Sequence, residues 1–254
     1  MDQNDYIRIV PGADTGVLFI HGIAGTPEHF TKLIPLVQMV PESYSVYNLL
    51  LDGHGKTAKD FGKSSMKIWK RQVLDAFEML RREHSRIILV GHSMGTLLAV
   101  QLALEYPQSI ESLFLLAVPM RVKSGLRAMS NSLRLIWGKL RDTVPSERAM
   151  AVACGAEPTW KLWHYVGWIP RLTELLVLIH NTGKVIDKLT VPSIAFQSEK
   201  DEMVALASRG ILARNKGITQ YMLPNSTHFY YAPEDSAAVC SAFQVAMDMT
   251  KKQD

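Results

Sequence analysis

Short runs that are apolar throughout alternate along this chain with longer stretches in which apolar side chains recur every three or four positions. The first kind predicts strands over 17–21, 44–51, 86–91, 112–118, 193–197 and 219–223. The second predicts helices over 27–39, 65–84, 94–106, 203–214 and 233–251. Strands with no polar face, separated by helices, point to a mostly parallel sheet covered on both sides, so the expected class is α/β.

The rhythm breaks once. Residues 119–189 hold no convincing strand, yet four of the five tryptophans (Trp137, Trp160, Trp163, Trp168) lie there. A structureless loop of that length is rare in a compact domain, so the segment is expected to be a helical cap inserted between two sheet strands. The core is then expected over 1–118 and 190–254. No internal repeat or low-complexity tract interrupts it.

Composition narrows the classes. The chain has 254 residues, 47% of them apolar and 20% charged, which suits one large folded domain. Its start, "MDQNDYIRIV", has no basic segment followed by an apolar one, and "LFLLAV" and "LLVLI" are too short to span a bilayer. Cys154 and Cys240 are the only cysteines and have no metal-type spacing, so the default expectation is a reducing cytoplasm. The net charge of +4 comes without basic blocks or interleaved aromatics, which argues against a nucleic-acid partner.

The candidate chemistry lies in "GHSMG", residues 91 to 95, between an apolar strand and an apolar helix. A serine that attacks a carbonyl must stand clear of its backbone. A tight strand-to-helix turn achieves this, and it crowds the positions two before and two after, which here are Gly91 and Gly95 around Ser93. The hydroxyl needs a base. Of eight histidines only His228 follows the last expected strand, in a loop able to reach back to the turn. A carboxylate must hold the imidazole; Asp201 is preferred to its neighbours Glu199 and Glu202 because it lies on a strand-end loop in the order Ser, Asp, His. The developing oxyanion needs two backbone donors, assigned to Met94, next to the nucleophile, and Ile23, in the loop after the first expected strand. His92 is expected to be turned away from the site, and His164 and His180 to serve packing or surface roles.

On these residues the chain resembles the α/β-hydrolase superfamily, and more closely its bacterial carboxylesterases and monoacylglycerol lipases with a small cap. "LFIHGIAGTPEHF" is similar to their strand, oxyanion loop and first helix, "LLLDGHG" to their next strand and turn, and "VGHSMG" to their nucleophile turn. "KDEMV" and "NSTHF" look like their acid and base loops. The resemblance implies hydrolysis of short to medium acyl esters or monoacylglycerols without metal or organic cofactor. Two departures concern the acyl pocket: Ile23 stands where the family often has an aromatic residue, and "KTAKD" follows "GHG" where it often has a proline.

Other signals are weaker. "GHGKT" lacks the glycine a phosphate loop needs, since position 50 is Leu50. Neither H-E-x-x-H nor paired C-x-x-C occurs, so zinc has no support. Residues 119–189 carry eleven Lys or Arg against five Asp or Glu. Val122, Leu126, Met129, Leu133, Ile136 and Leu140 fall on one expected helical face, to pack over the site or to meet an acyl chain or anionic lipid surface. The rival functions are a thioesterase or acyltransferase, a C–C hydrolase or peptidase with the same triad, and a non-catalytic binding relative.

Overall fold

The computed structural model describes residues 4–123, 141, 143–157 and 159–251. Seven strands form one sheet: β1 (Tyr6–Arg8), β2 (Thr15–Ile20), β3 (Ser45–Leu49), β5 (Arg86–His92), β6 (Ile110–Leu116), β8 (Ser193–Ser198) and β9 (Ile218–Leu223). The order is β1-β3-β2-β5-β6-β8-β9, and every pair is parallel except β1 with β3. A separate two-stranded ribbon pairs β4 (Lys56–Thr57) with β7 (Ala156–Glu157).

Side-chain alternation splits the core into two layers. Leu18 and Ile20 of β2 join Ile87 and Leu89 of β5 on one face, while Val17, Phe19, Ile88 and Val90 join on the other. The first layer is closed by helices Met66–Glu83 and Met94–Glu105, the second by Pro233–Lys251. Helix Met66–Glu83 starts at Ser65, whose Oγ accepts the Ile68 N–H, and buries Trp69, Val73, Phe77 and Leu80 at three- and four-residue spacing. The Trp69 indole N–H donates to the Asp52 carbonyl at 2.8 Å, fixing the turn after β3 to this helix.

Some expectations are corrected. The helix expected over 27–39 is a short 3-10 turn, Pro27–Phe30, and one helical turn, Leu36–Met39, with Pro35 at the start of the second. The helix expected over 203–214 shrinks to Ser208–Leu212, because Val204 makes an antiparallel bridge with Val122. Residues 58–63 were not expected to be helical, but Thr57 caps helix Ala58–Lys63 by accepting the Asp60 N–H. Between β6 and β8 lie helices Pro145–Ala153 and Trp168–Val185 and the unexpected strand β7. The amphipathic helix expected after Val122 lies outside the described residues.

Candidate active site

The chain turns sharply between β5 and helix Met94–Glu105, and Ser93 occupies the corner at φ 51° and ψ −122°. A non-glycine residue there costs roughly 1–3 kcal/mol and persists only if its surroundings hold it. Here the Ser93 N–H donates to the Leu116 carbonyl of β6 at 2.9 Å. Its carbonyl accepts from the Thr96 N–H at 3.0 Å and hydroxyl at 2.6 Å. The flanking glycines are required by space. A Cβ on Gly95 would lie 1.9 Å from the Ile20 carbonyl oxygen, and one on Gly91 would lie 2.7 Å from Thr96 Cα and N.

The loop after β2 runs directly beside this corner, since a Cβ on Gly22 would stand 2.9 Å from Ser93 Cβ. Gly25 N–H closes the turn on the Gly22 carbonyl at 3.0 Å, and Ala24 takes φ 53°. Two buried histidines hold it. His21 Nε2 accepts the Leu51 N–H at 3.0 Å, so the ring proton is on Nδ1, which donates to the Gly22 carbonyl at 2.8 Å. His54 Nε2 accepts the Ala24 N–H at 3.1 Å, while its Nδ1 faces the Leu51 and Asp52 carbonyls, each at 3.2 Å. Burial pushes His21 down to about 4 and His54 well below the usual imidazole range, so both rings stay neutral at pH 7.

Asp201 and His228 meet in the loops that follow β8 and β9. Asp201 Oδ1 accepts the N–H groups of Met203 and Val204, each at 2.7 Å, leaving Oδ2 2.8 Å from His228 Nδ1. Both side chains are buried, at 1% and 2% exposure. Burial pushes the Asp201 carboxyl up, but the His228 charge and the hydrogen bonds from His228, Val204 and Met203 outweigh it, and the acid lies below its ordinary value. Burial likewise lowers His228, yet the Asp201 charge and hydrogen bond, with Glu202 behind them, raise it above its ordinary value. An ionised Asp201 on Nδ1 leaves Nε2 of a neutral His228 as the basic nitrogen.

Of the competing carboxylates, Glu202 has a different place: its Oε2 accepts the His228 backbone N–H at 3.1 Å. His92 is not turned away from the site, as the sequence suggested, but reaches the His228 carbonyl with Nε2. The roles of His21, His54 and His92 were missed, although "FIHG" and "DGHG" each place a histidine before a glycine at a strand end. Among the described residues no three His, Cys, Asp or Glu side chains converge into a metal-sized cluster. A cavity of about 550 Å³ opens beside the base loop, between Leu33, Pro145, Ala149, Val152, Phe229 and Tyr230.

A mostly parallel sheet sandwiched by helices, with a serine on a strained corner at the end of the fifth strand, defines an α/β-hydrolase. A family model, serine aminopeptidase, S33, matches residues 12–228, and the chain belongs to that family. It is 25% identical over 225 residues to a thermostable monoacylglycerol lipase of Bacillus sp. (strain H-257), covering 84% of this chain and 82% of that one. It is 31% identical over 263 residues to a proline iminopeptidase of Saccharolobus solfataricus, covering 89% and 83%. Among solved structures, one from work on the metagenome-derived lipolytic enzymes LipS and LipT superposes with a TM-score of 0.72 at 18% identity, covering 97% of this chain and 98% of that one.

Proposed function

We propose that the protein hydrolyses carboxylic esters, of short to medium acyl chains or monoacylglycerols, through an acyl-enzyme on Ser93. His228 Nε2 takes the Ser93 proton as Oγ attacks the carbonyl carbon, and the N–H groups of Ile23 and Met94 receive the oxyanion. Asp201 stabilises the imidazolium, which protonates the leaving alcohol; water then repeats the sequence and releases the acid. The observation that carries this reading is the buried 2.8 Å contact of Asp201 with His228 Nδ1, which orients the imidazole as a general base. The similarity to a monoacylglycerol lipase supports the substrate class.

Residues 119–189 form the cap over the site in this reading, on a core of 1–118 and 190–254. The free thiols Cys154 and Cys240 suit a cytoplasmic enzyme, and among the described residues no helix is long and apolar enough to cross a membrane. Trp160, Trp163 and Ile169 stand 74%, 62% and 65% exposed on the cap, which favours contact with an anionic lipid surface through a basic, apolar face. Flotation with anionic but not neutral vesicles at low salt is the expected result; equal flotation removes the electrostatic half.

The deciding experiment is a hydrolysis panel of p-nitrophenyl esters from acetate to palmitate with monoacylglycerols, and prolyl p-nitroanilide alongside. Ester turnover with fluorophosphonate labelling that is lost in Ser93→Ala is the expected result. The 31% identity to a proline iminopeptidase supports a second reading, and preferential cleavage of the anilide selects it. No turnover of any substrate and no labelling overturns both.

A further inference from the structure

We propose that Gly155, in the segment between β6 and β8, is a positioning residue for the oxyanion loop, so that this segment and the loop move as one body. The inference rests on the reading of Ile23 as an oxyanion donor. Ala24, the next residue, is gripped at both of its backbone polar groups. Its N–H donates to His54 Nε2 at 3.1 Å, and its carbonyl accepts the Gly155 N–H at 2.6 Å. The Gly155 carbonyl in turn accepts the Gly55 N–H at 2.6 Å, one residue beyond His54. Three distant segments are thereby closed into a ring of hydrogen bonds. The ribbon of β4 and β7 continues it, pairing Lys56 with Ala156 and Thr57 with Glu157.

Steric contacts make the arrangement stiff. A Cβ on Gly155 would lie 2.2 Å from the Gly25 carbonyl oxygen, 2.7 Å from Thr26 Cγ2 and 2.8 Å from the Gly25 carbonyl carbon. Gly22, at the other end of the same turn, lies against Ser93. The loop thus has the nucleophile against Gly22 at one end and Gly155 against Gly25 at the other. Its internal bond from Gly25 N–H to the Gly22 carbonyl leaves little room to absorb a push. Displacing Gly25 from Gly155 therefore tilts the Ile23 N–H away from the position the oxyanion takes, with no side chain of the triad touched.

The test compares Gly155→Ala with the unaltered full chain. Losing one oxyanion donor costs about 100- to 1,000-fold in turnover, so kcat should fall about 100-fold with KM changed by less than about threefold. Inhibition by octyl trifluoromethyl ketone, which becomes an oxyanion on Ser93, should weaken in parallel, while the acid limb of the kcat/KM profile stays where it was. A Gly155→Ala protein with unchanged kcat and unchanged ketone inhibition overturns the proposal.

Hydrogen exchange on the unaltered chain decides the matter if that variant does not fold. The ketone should protect residues 153–157 together with residues 21–26, and protection confined to 21–26 overturns the coupling. Failure of the ketone to bind an inactive wild-type protein would instead sink the esterase reading itself.

Discussion

The His92 imidazole donates from Nε2 to the backbone carbonyl of His228 at 3.1 Å, so the residue before the nucleophile grips the loop of the base. His29 stacks on His92 with ring centroids 3.7 Å apart, and the Tyr231 hydroxyl meets His29 Nε2 at 3.3 Å. The corner, the first helical turn and the base loop are thus joined through two neutral rings. His92→Phe removes the donor and leaves a buried carbonyl unpaired, a loss of roughly 1–3 kcal/mol. The expected result is a drop in kcat/KM of about 10- to 100-fold, largely restored in His92→Gln, whose amide N–H can reach the same carbonyl. Full activity in His92→Phe would show that the contact does not position the base.

Gly95 of the corner and Gly183 of the helix Trp168–Val185 should respond to alanine in opposite directions. Gly95→Ala forces a methyl to within 1.9 Å of the Ile20 carbonyl, and the strand cannot retreat without breaking the sheet. A loss above about 3 kcal/mol, or no soluble protein, is expected. Gly183, late in helix Trp168–Val185, has nothing within 4 Å of its Cβ position. Gly183→Ala should therefore stabilise the fold by about 0.5–1 kcal/mol through helix propensity. Urea midpoints of the two variants check both signs.

The acid limb of the rate profile follows from His228. The base works only when neutral, and Asp201, assisted by Glu202, lifts its pKa above the ordinary 6.5 despite burial. The limb of kcat/KM should accordingly fall above pH 6.5, higher than an unperturbed imidazole predicts. Asp201→Asn removes the charge, lowers the limb and reduces turnover by about 10,000-fold, the scale set by loss of the same charge in a serine protease. A limb that does not move in Asp201→Asn would separate the titrating group from His228.

Much of this was legible because strands buried on both faces write themselves as unbroken apolar runs: "VLFI" and "IILV" lie within β2 and β5. The corner was legible because its sterics demand glycine at fixed offsets from Ser93. What escaped was set by distant partners. β1 is short and mostly exposed, and its sequence, "YIR", has no signal apart from its pairing with β3. The expected helix over 203–214 begins only at Ser208 because Val204 is drawn into a bridge with Val122, a partner distant in sequence. Histidine has no periodicity of its own, so nothing in "FIHG" or "DGHG" announces that each ring will bind a backbone N–H thirty residues away in sequence.

Those histidines carry a cost in acid. Burial first, and then mutual repulsion in most of them, holds His21 at about 4, His29 at about 3, and His54 and His92 well below 6.5. The unfolded chain takes up these protons near 6.5 while the fold excludes them, so their stabilising effect is complete above that value and is lost as pH falls toward 4. His228, raised by its partners, contributes in the opposite sense: its share is present below 6.5 and is lost as pH rises through its folded value. Asp201, lowered, yields its share only in more acid solution, as pH falls through its folded value below 3.8. Between pH 6 and 4 the four low histidines therefore dominate. A proton excluded from one ring costs at most about 1.4 kcal/mol per pH unit, which for several rings together is large against the roughly 5–15 kcal/mol of a typical domain. Acid unfolding is expected below pH 6.5, with cooperative uptake of protons by these rings. His29→Gln should reduce that uptake by about one proton. Circular dichroism with potentiometric titration measures both, and a fold that survives intact to pH 3.5 would mean that these rings accept protons without leaving their places.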